Sequence, residues 1–193
     1  MSTTRILCLH GYHGSAAILR RQMSPVAAGL SADVELVYID APSLASGDFG
    51  WWHEGFRGWE RTRDWMIELV GVQRYDGVFG FSQGAALAGL LVALGETEQA
   101  PLSFGLAIMV GGFTSTSPQH AQLFAQKLQV PSLHIMGRRD AIIPMPDSQL
   151  LAERFAHPVI IEHEGGHVIP DDAVITRRIA EFVAKHSNLE IAE

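Results

Sequence analysis

Two kinds of apolar pattern alternate along this chain. Short, nearly continuous apolar runs occur at Arg5-Ile6-Leu7-Cys8-Leu9, Val34-Glu35-Leu36-Val37-Tyr38-Ile39, Gly77-Val78-Phe79-Gly80-Phe81, Leu106-Ala107-Ile108-Met109-Val110, Ser132-Leu133-His134-Ile135-Met136 and Val159-Ile160-Ile161-Glu162. Their length and β-branched content predict six buried strands. Between them, helical patterns run from Ala16 to Ala28, Glu60 to Val70, Ala85 to Leu94, Ala121 to Lys127, Ser148 to Phe155 and Ala173 to Lys185. Strands that alternate with helices predict an α/β fold: a compact, mostly parallel six-stranded sheet with right-handed crossovers and helices on both faces. No repeat and no Pro/Ser-rich linker interrupts the pattern, so residues 1–193 are expected to form a single domain. Residues 41–59 break the rhythm with four glycines and five large aromatics, Phe49, Trp51, Trp52, Phe56 and Trp59, in no clear period. A long aperiodic segment inside a compact domain predicts a functional loop or a small cap.

Parallel sheets gather their reactive groups at the carboxyl ends of the strands. After the first strand comes His10-Gly11-Tyr12-His13-Gly14; after the third, Ser82; after the fifth, Gly137-Arg138-Arg139-Asp140; after the sixth, His163-Glu164-Gly165-Gly166-His167. Gly80-Phe81-Ser82-Gln83-Gly84 joins a strand to a small-residue helix. That context makes it a nucleophile elbow, a sharp turn on which the serine hydroxyl is exposed and glycines leave room for the adjoining elements. Isolated, the pentapeptide is weak, because serine is also a common turn residue; its partners further along the chain strengthen it.

A serine hydroxyl is a poor nucleophile at neutral pH and needs a base to take its proton. His167 is the expected base and Asp140 the carboxylate that orients it. Asp147 reads as a helix N-cap, and Asp171 and Asp172 belong to the start of the last helix, which leaves Asp140 without a competing task. The Gln83 amide, at a helix N-terminus, and the Tyr12 amide, in the first loop, are the expected oxyanion donors. His10 and His13 are expected to stiffen that loop, His134 to sit in the core, and His53, His120, His157 and His186 to occupy loop or surface positions. His163 to His167 also spells H-E-x-x-H, a zinc pattern that works only on a helix. Two adjacent glycines would cost about 1 kcal/mol each there relative to alanine, so a strand ending in a loop is expected and no metal.

Composition narrows the class. Hydrophobic residues make up 47% and charged residues 18%, the balance of a soluble globular protein, and the formal net charge of −7 disfavours nucleic acid as a partner. The apolar run at the N-terminus is too short for a signal peptide, and no stretch suggests a membrane span. The one cysteine, Cys8, lies in that run and reads as a buried thiol, which makes a cytoplasmic location the default.

With these residues placed, the chain resembles the FSH-type "family of serine hydrolases" within the α/β-hydrolase superfamily, whose chain order of serine, acid and histidine it shares. The matching landmarks are Leu7 to Tyr12, Tyr38-Ile39-Asp40-Ala41-Pro42, Tyr75 to Ala86, Pro131 to Gly137 with Asp140 and Pro144, and Glu164 to His167 with Pro170. Gly-Phe-Ser-Gln-Gly is also shared with acyl-protein thioesterases and related carboxylesterases. The resemblance implies an α/β-hydrolase fold and a serine hydrolase that cleaves apolar acyl esters or thioesters of small molecules without a cofactor. Phe49, Trp51, Trp52, Phe56 and Trp59 are then expected either to wall an acyl pocket or to plug the core. A ligand-binding protein that has kept the fold without catalysis is the alternative from another class.

Overall fold

The computed structural model describes residues 3–45 and 48–187, so residues 46 and 47 of the aromatic segment and both chain ends lie outside the described residues. Six strands, β1 (Thr4–Leu9), β2 (Val34–Ile39), β5 (Gly77–Phe81), β6 (Leu106–Val110), β7 (Ser132–Gly137) and β8 (Pro158–His163), form one sheet. Its spatial order is β2-β1-β5-β6-β7-β8 and every pairing is parallel. A separate two-stranded antiparallel ribbon, β3 (Ser43–Ala45) with β4 (Asp48–Phe49), lies within the 41–59 segment.

Alternation along the strands divides the core into two layers. Leu7, Leu9, Val78, Ala107 and Met109 face helices α3 (Trp59–Val72), α4 (Gln83–Glu96) and α5 (Met145–Ala152). Ile6, Cys8, Phe79, Phe81, Ile108, Val110, Leu133 and Ile135 face α1 (Ala16–Gln22), α2 (Ser24–Gly29) and α6 (Ala173–His186). The continuous apolar runs follow from this: both faces of each central strand are covered, so no polar alternation is needed. Helix α4 is buried from Gln83 to Leu94, which explains its all-round Ala, Leu and Gly composition.

Helix ends differ from the sequence reading where local chemistry intervenes. The stretch 16–28 is two helices, because Pro25 offers no N–H and its ring crowds the carbonyl four residues back; it sits instead in the first turn of α2. Helix α5 begins at Met145 with Pro144 at its N-cap, so Asp147 is a first-turn residue and not the cap. Asp172 does cap α6, its carboxylate accepting from the amides of Val174 and Ile175. The helix expected at 121–127 is a 3₁₀ stretch, Pro118–Phe124. Within it His120 is buried between Phe56 and Trp59, where a loop or surface position was expected of it.

Candidate active site

Ser82 stands between β5 and α4 with φ 56° and ψ −119°, a conformation rare for a residue with a Cβ and held by its surroundings. Its amide donates to the Val110 carbonyl at 2.9 Å and its own carbonyl accepts from Ala85 and Ala86. The flanking glycines are sterically required. A Cβ on Gly80 would lie 2.2 Å from the Gly84 carbonyl oxygen, and one on Gly84 would lie 2.2 Å from that of Leu9. Strand, helix and neighbouring strand can therefore meet at this turn only if both positions lack side chains. Among the described residues, the Ser82 hydroxyl makes no hydrogen bond.

The imidazole of His167 arrives from the loop after β8 and lies 4.9 Å, centroid to centroid, from the ring of Phe81, the residue before the elbow serine. Its Nδ1 is 2.6 Å from Asp140 Oδ2. Asp140 Oδ1 accepts in turn from the amides of Ile142 and Ile143 at 2.9 and 2.8 Å, and the carboxylate is almost wholly buried. With both oxygens engaged as acceptors, Nδ1 carries a proton, and in the neutral ring that tautomer places the lone pair on Nε2. His163 ends β8 and residues 164–168 leave it as bends, so His163 and His167 share no helical face; His163 Nδ1 accepts from the Gly165 amide. Among the described residues, no cluster of three or more His, Cys, Asp or Glu side chains is arranged to hold a metal ion.

Gly111 was not singled out by the sequence, although it follows β6 directly. Its φ is +55°, and a Cβ there would lie 3.1 Å from His167 Cε1 and 3.2 Å from Nδ1. It thus links the strand-end carbonyl that holds Ser82, on Val110, to the imidazole. The available signal was position alone: Gly111-Gly112 sits at the carboxyl end of a predicted strand.

Tyr12 lies on the loop after β1 and Gln83 is the first residue of α4, beside the serine, and a Cβ on Gly11 would meet Ser82 Cβ at 3.2 Å. Among the described residues, the Tyr12 and Gln83 amides donate to no acceptor, as expected for the first residue of a helix in the case of Gln83. His10 is buried and neutral: its Nε2 accepts from the Ala41 amide at 2.9 Å and its Nδ1 donates to the Gly11 carbonyl at 2.7 Å. Burial lowers its pKa, against the opposing pull of the Gly11 carbonyl and the Asp40 charge. Cys8 is fully buried and desolvation pushes its thiol up, which makes it inert.

The five aromatics of the 41–59 segment divide into two groups. Trp51, Trp52 and Trp59 are buried in the core, and Phe49 and Phe56 pack partly buried against it. Trp52 and Phe56 stack at 5.3 Å and line a cleft of about 370 Å³ beside the elbow, together with Tyr12, His53, Gln83, Phe113 and Thr116. Phe56 holds a positive φ of 60°, between Gly55 and Gly58, which are also positive. Phe113 and Thr116, from the loop after β6, were not anticipated as cleft residues.

A parallel sheet carrying a serine elbow after one strand and a carboxylate-held histidine after two others is an α/β-hydrolase. A crystal structure of acyl-protein thioesterase 2 from Zea mays shares that fold, with a TM-score of 0.71 and 18% identity over 96% of this chain and 94% of that one. The model of the family "Serine hydrolase (FSH1)" matches residues 1–179, and the chain belongs to that family. The protein named esterase OVCA2 from Xenopus tropicalis is 31% identical, covering 94% of this chain and 92% of that protein. A Schizosaccharomyces pombe protein named dihydrofolate reductase is 28% identical over 93% of this chain, which spans only 46% of that protein's length. No helix among the described residues is long and apolar enough to cross a membrane.

Proposed function

We propose that the protein hydrolyses small-molecule carboxylic esters or thioesters of apolar acyl groups through a Ser82 acyl-enzyme. The Asp140–His167 contact at 2.6 Å, with Asp140 fixed by two backbone amides, carries this reading, because it leaves Nε2 as the proton acceptor beside the elbow. Ser82 Oγ attacks the acyl carbon as His167 Nε2 takes its proton, and the carbonyl oxygen becomes an oxyanion facing the Tyr12 and Gln83 amides. Collapse expels the alcohol or thiol, which takes the proton from His167. Water then repeats the sequence on the acyl-enzyme, with His167 as base, and releases the carboxylic acid and free Ser82. The name esterase on the Xenopus relative and the shared fold of the maize thioesterase support this reaction class.

Trp52, Phe56 and Phe113 form the apolar wall against which the acyl group rests, while Phe49, Trp51 and Trp59 serve packing. One catalytic unit spans the sheet, with residues 41–59 as a small cap at its carboxyl edge. No cofactor enters the scheme. A reducing, cytoplasmic setting suits a chain whose one cysteine is buried. Turnover of an acyl-length series of aryl esters and thioesters tests the reading: sustained hydrolysis by the wild type and none above background by Ser82→Ala is expected. Binding without turnover would instead indicate a non-catalytic ligand-binding protein.

A further inference from the structure

Trp51 has no access to a substrate, yet nearly every polar atom around it is tied to the two segments that carry the proposed oxyanion donors. Its indole Nε1–H donates to the His10 carbonyl at 2.7 Å, two residues before the Tyr12 amide. Its backbone N–H donates to Gln83 Oε1 at 2.9 Å, and Gln83 Nε2 donates to the Trp52 carbonyl at 2.8 Å. Thr62 Oγ1, from α3, donates to the Trp51 carbonyl. The indole is 0% exposed, packed 5.0 Å from the His10 ring and stacked at 6.4 Å on Trp65.

We infer that Trp51 and the Gln83 side chain are positioning residues that set the spacing between the Tyr12 and Gln83 amides. The inference rests on the acyl-enzyme reading above. The geometry separates it from a role as pocket wall, because a residue with no exposed surface cannot touch an acyl chain. It also separates it from simple core filling. Any buried N–H or C=O must be hydrogen-bonded. These four bonds, however, run to His10 and Gln83, on the segments that bear the two amides, and to Thr62 of α3, and none is made within the 41–59 segment itself. The segments bearing the Tyr12 and Gln83 amides are more than 70 residues apart in the chain and meet where β1 pairs with β5 and where Gly84 packs on the Leu9 and His10 carbonyls; the Trp51 bonds add a tie beyond those contacts. A strut between them keeps both amides aimed at one oxygen, and donors matched to the oxyanion act on the transition state more than on the bound ester.

Trp51→Phe keeps an aromatic ring and deletes only the indole N–H that reaches His10. Gln83→Met keeps the side-chain length and deletes both bonds to the dipeptide. The expected result is a fall in kcat of about 10–100-fold in each, less than the roughly 10²–10³ lost when an oxyanion donor is removed outright. KM should stay within about threefold of wild type for short and long acyl esters alike, and the double variant should lose less than the product of the single losses, because both residues act on one strut. Thr62→Val, which removes the third anchor, should shift kcat in the same direction by a smaller factor, and Thr62→Ser should restore it; this pair decides the matter if Trp51→Phe does not fold. Circular dichroism and the melting transition establish that each variant is folded under assay conditions.

A folded Trp51→Phe with wild-type kcat overturns the inference. So does a loss that resides in KM and grows with acyl length, which would return Trp51 to the substrate wall. Labelling of the wild type by a fluorophosphonate is measured alongside: an unlabelled wild type removes the acyl-enzyme reading itself, whereas a labelled wild type with unaffected variants removes only the strut.

Discussion

Asp140 holds one imidazole proton and thereby decides which nitrogen of His167 faces the nucleophile. An Asp140→Asn substitution presents a donor where the carboxylate accepted, so the imidazole is driven toward the other tautomer, and kcat is expected to fall by about 10⁴. Steady-state kinetics on an aryl ester measure this; a loss below tenfold would show that Asp140 does not orient His167. Gly111 supplies a second residue-scale expectation. Gly111→Ala must place a Cβ 3.1 Å from His167 Cε1 at φ +55°, so imidazole and backbone cannot both stay in place. We expect about 1–3 kcal/mol lower stability in urea unfolding and at least a tenfold lower kcat, since the displaced ring is the base. Unchanged stability and turnover would contradict this close approach. Among residues, the placement of Ser82, Asp140 and His167 at the carboxyl edge of the sheet was legible because each lies within four residues of a strand's end. Gly111 and the anchoring of Trp51 were not. The bonds to Trp51 run largely through backbone N–H and C=O groups, which every residue possesses and which leave no signature in sequence.

Elements were legible to the extent that local pattern alone determines them. All six strands of the sheet appear where short apolar runs predicted them; β1, β5, β6 and β7 are buried on both faces, whereas the edge strands β2 and β8 are not the buried strands expected, being covered on one edge only and partly exposed. Boundaries shifted where a cap or a proline intervened, as at Pro25 and Pro144. The stretch Pro118–Phe124 took a 3₁₀ form instead of an α-helix, and its His120 was drawn inward by Phe56 and Trp59, a tertiary contact invisible in a local window. The 41–59 segment was the least legible element, since aromatics look the same in sequence whether they face a cleft or a core. Its cleft-facing members carry the element-scale expectation. Phe56→Ala removes one member of the stacked pair lining the cleft, so KM should rise severalfold for long acyl esters and little for acetate, with kcat on acetate retained. A uniform loss across chain lengths would place Phe56 outside the acyl subsite.

Across the whole molecule, buried neutral histidines tie stability to pH. His134 lies inside β7, its Nε2 3.1 Å from Ser132 Oγ, and burial lowers its pKa to about 3 from the ordinary 6.5. His10 is also shifted down by burial. The unfolded chain therefore takes up protons below about pH 6.5 that the folded chain refuses. Stability is complete above that pH and is lost as pH falls toward 3, by about 1.4 kcal/mol per pH unit for His134, and the downward shift of His10 acts in the same direction. Urea midpoints measured from pH 7.5 to 5 should fall on acidification, and His134→Leu should flatten the slope even if its absolute stability is lower. A wild-type midpoint that is level over that range would contradict a buried, neutral His134.

The same sheet that buries these histidines presents Ser82 at its carboxyl edge, and the function proposed for the whole protein depends on that one hydroxyl being an activated nucleophile. Reaction with a fluorophosphonate, followed by intact-mass measurement and peptide mapping, tests this most directly. The expected result is one adduct per wild-type chain, located on Ser82 and absent from Ser82→Ala, with labelling slowed strongly in a folded His167→Ala. An adduct that persists in Ser82→Ala, or a wild type that takes up no label, would contradict the assignment of Ser82 as nucleophile.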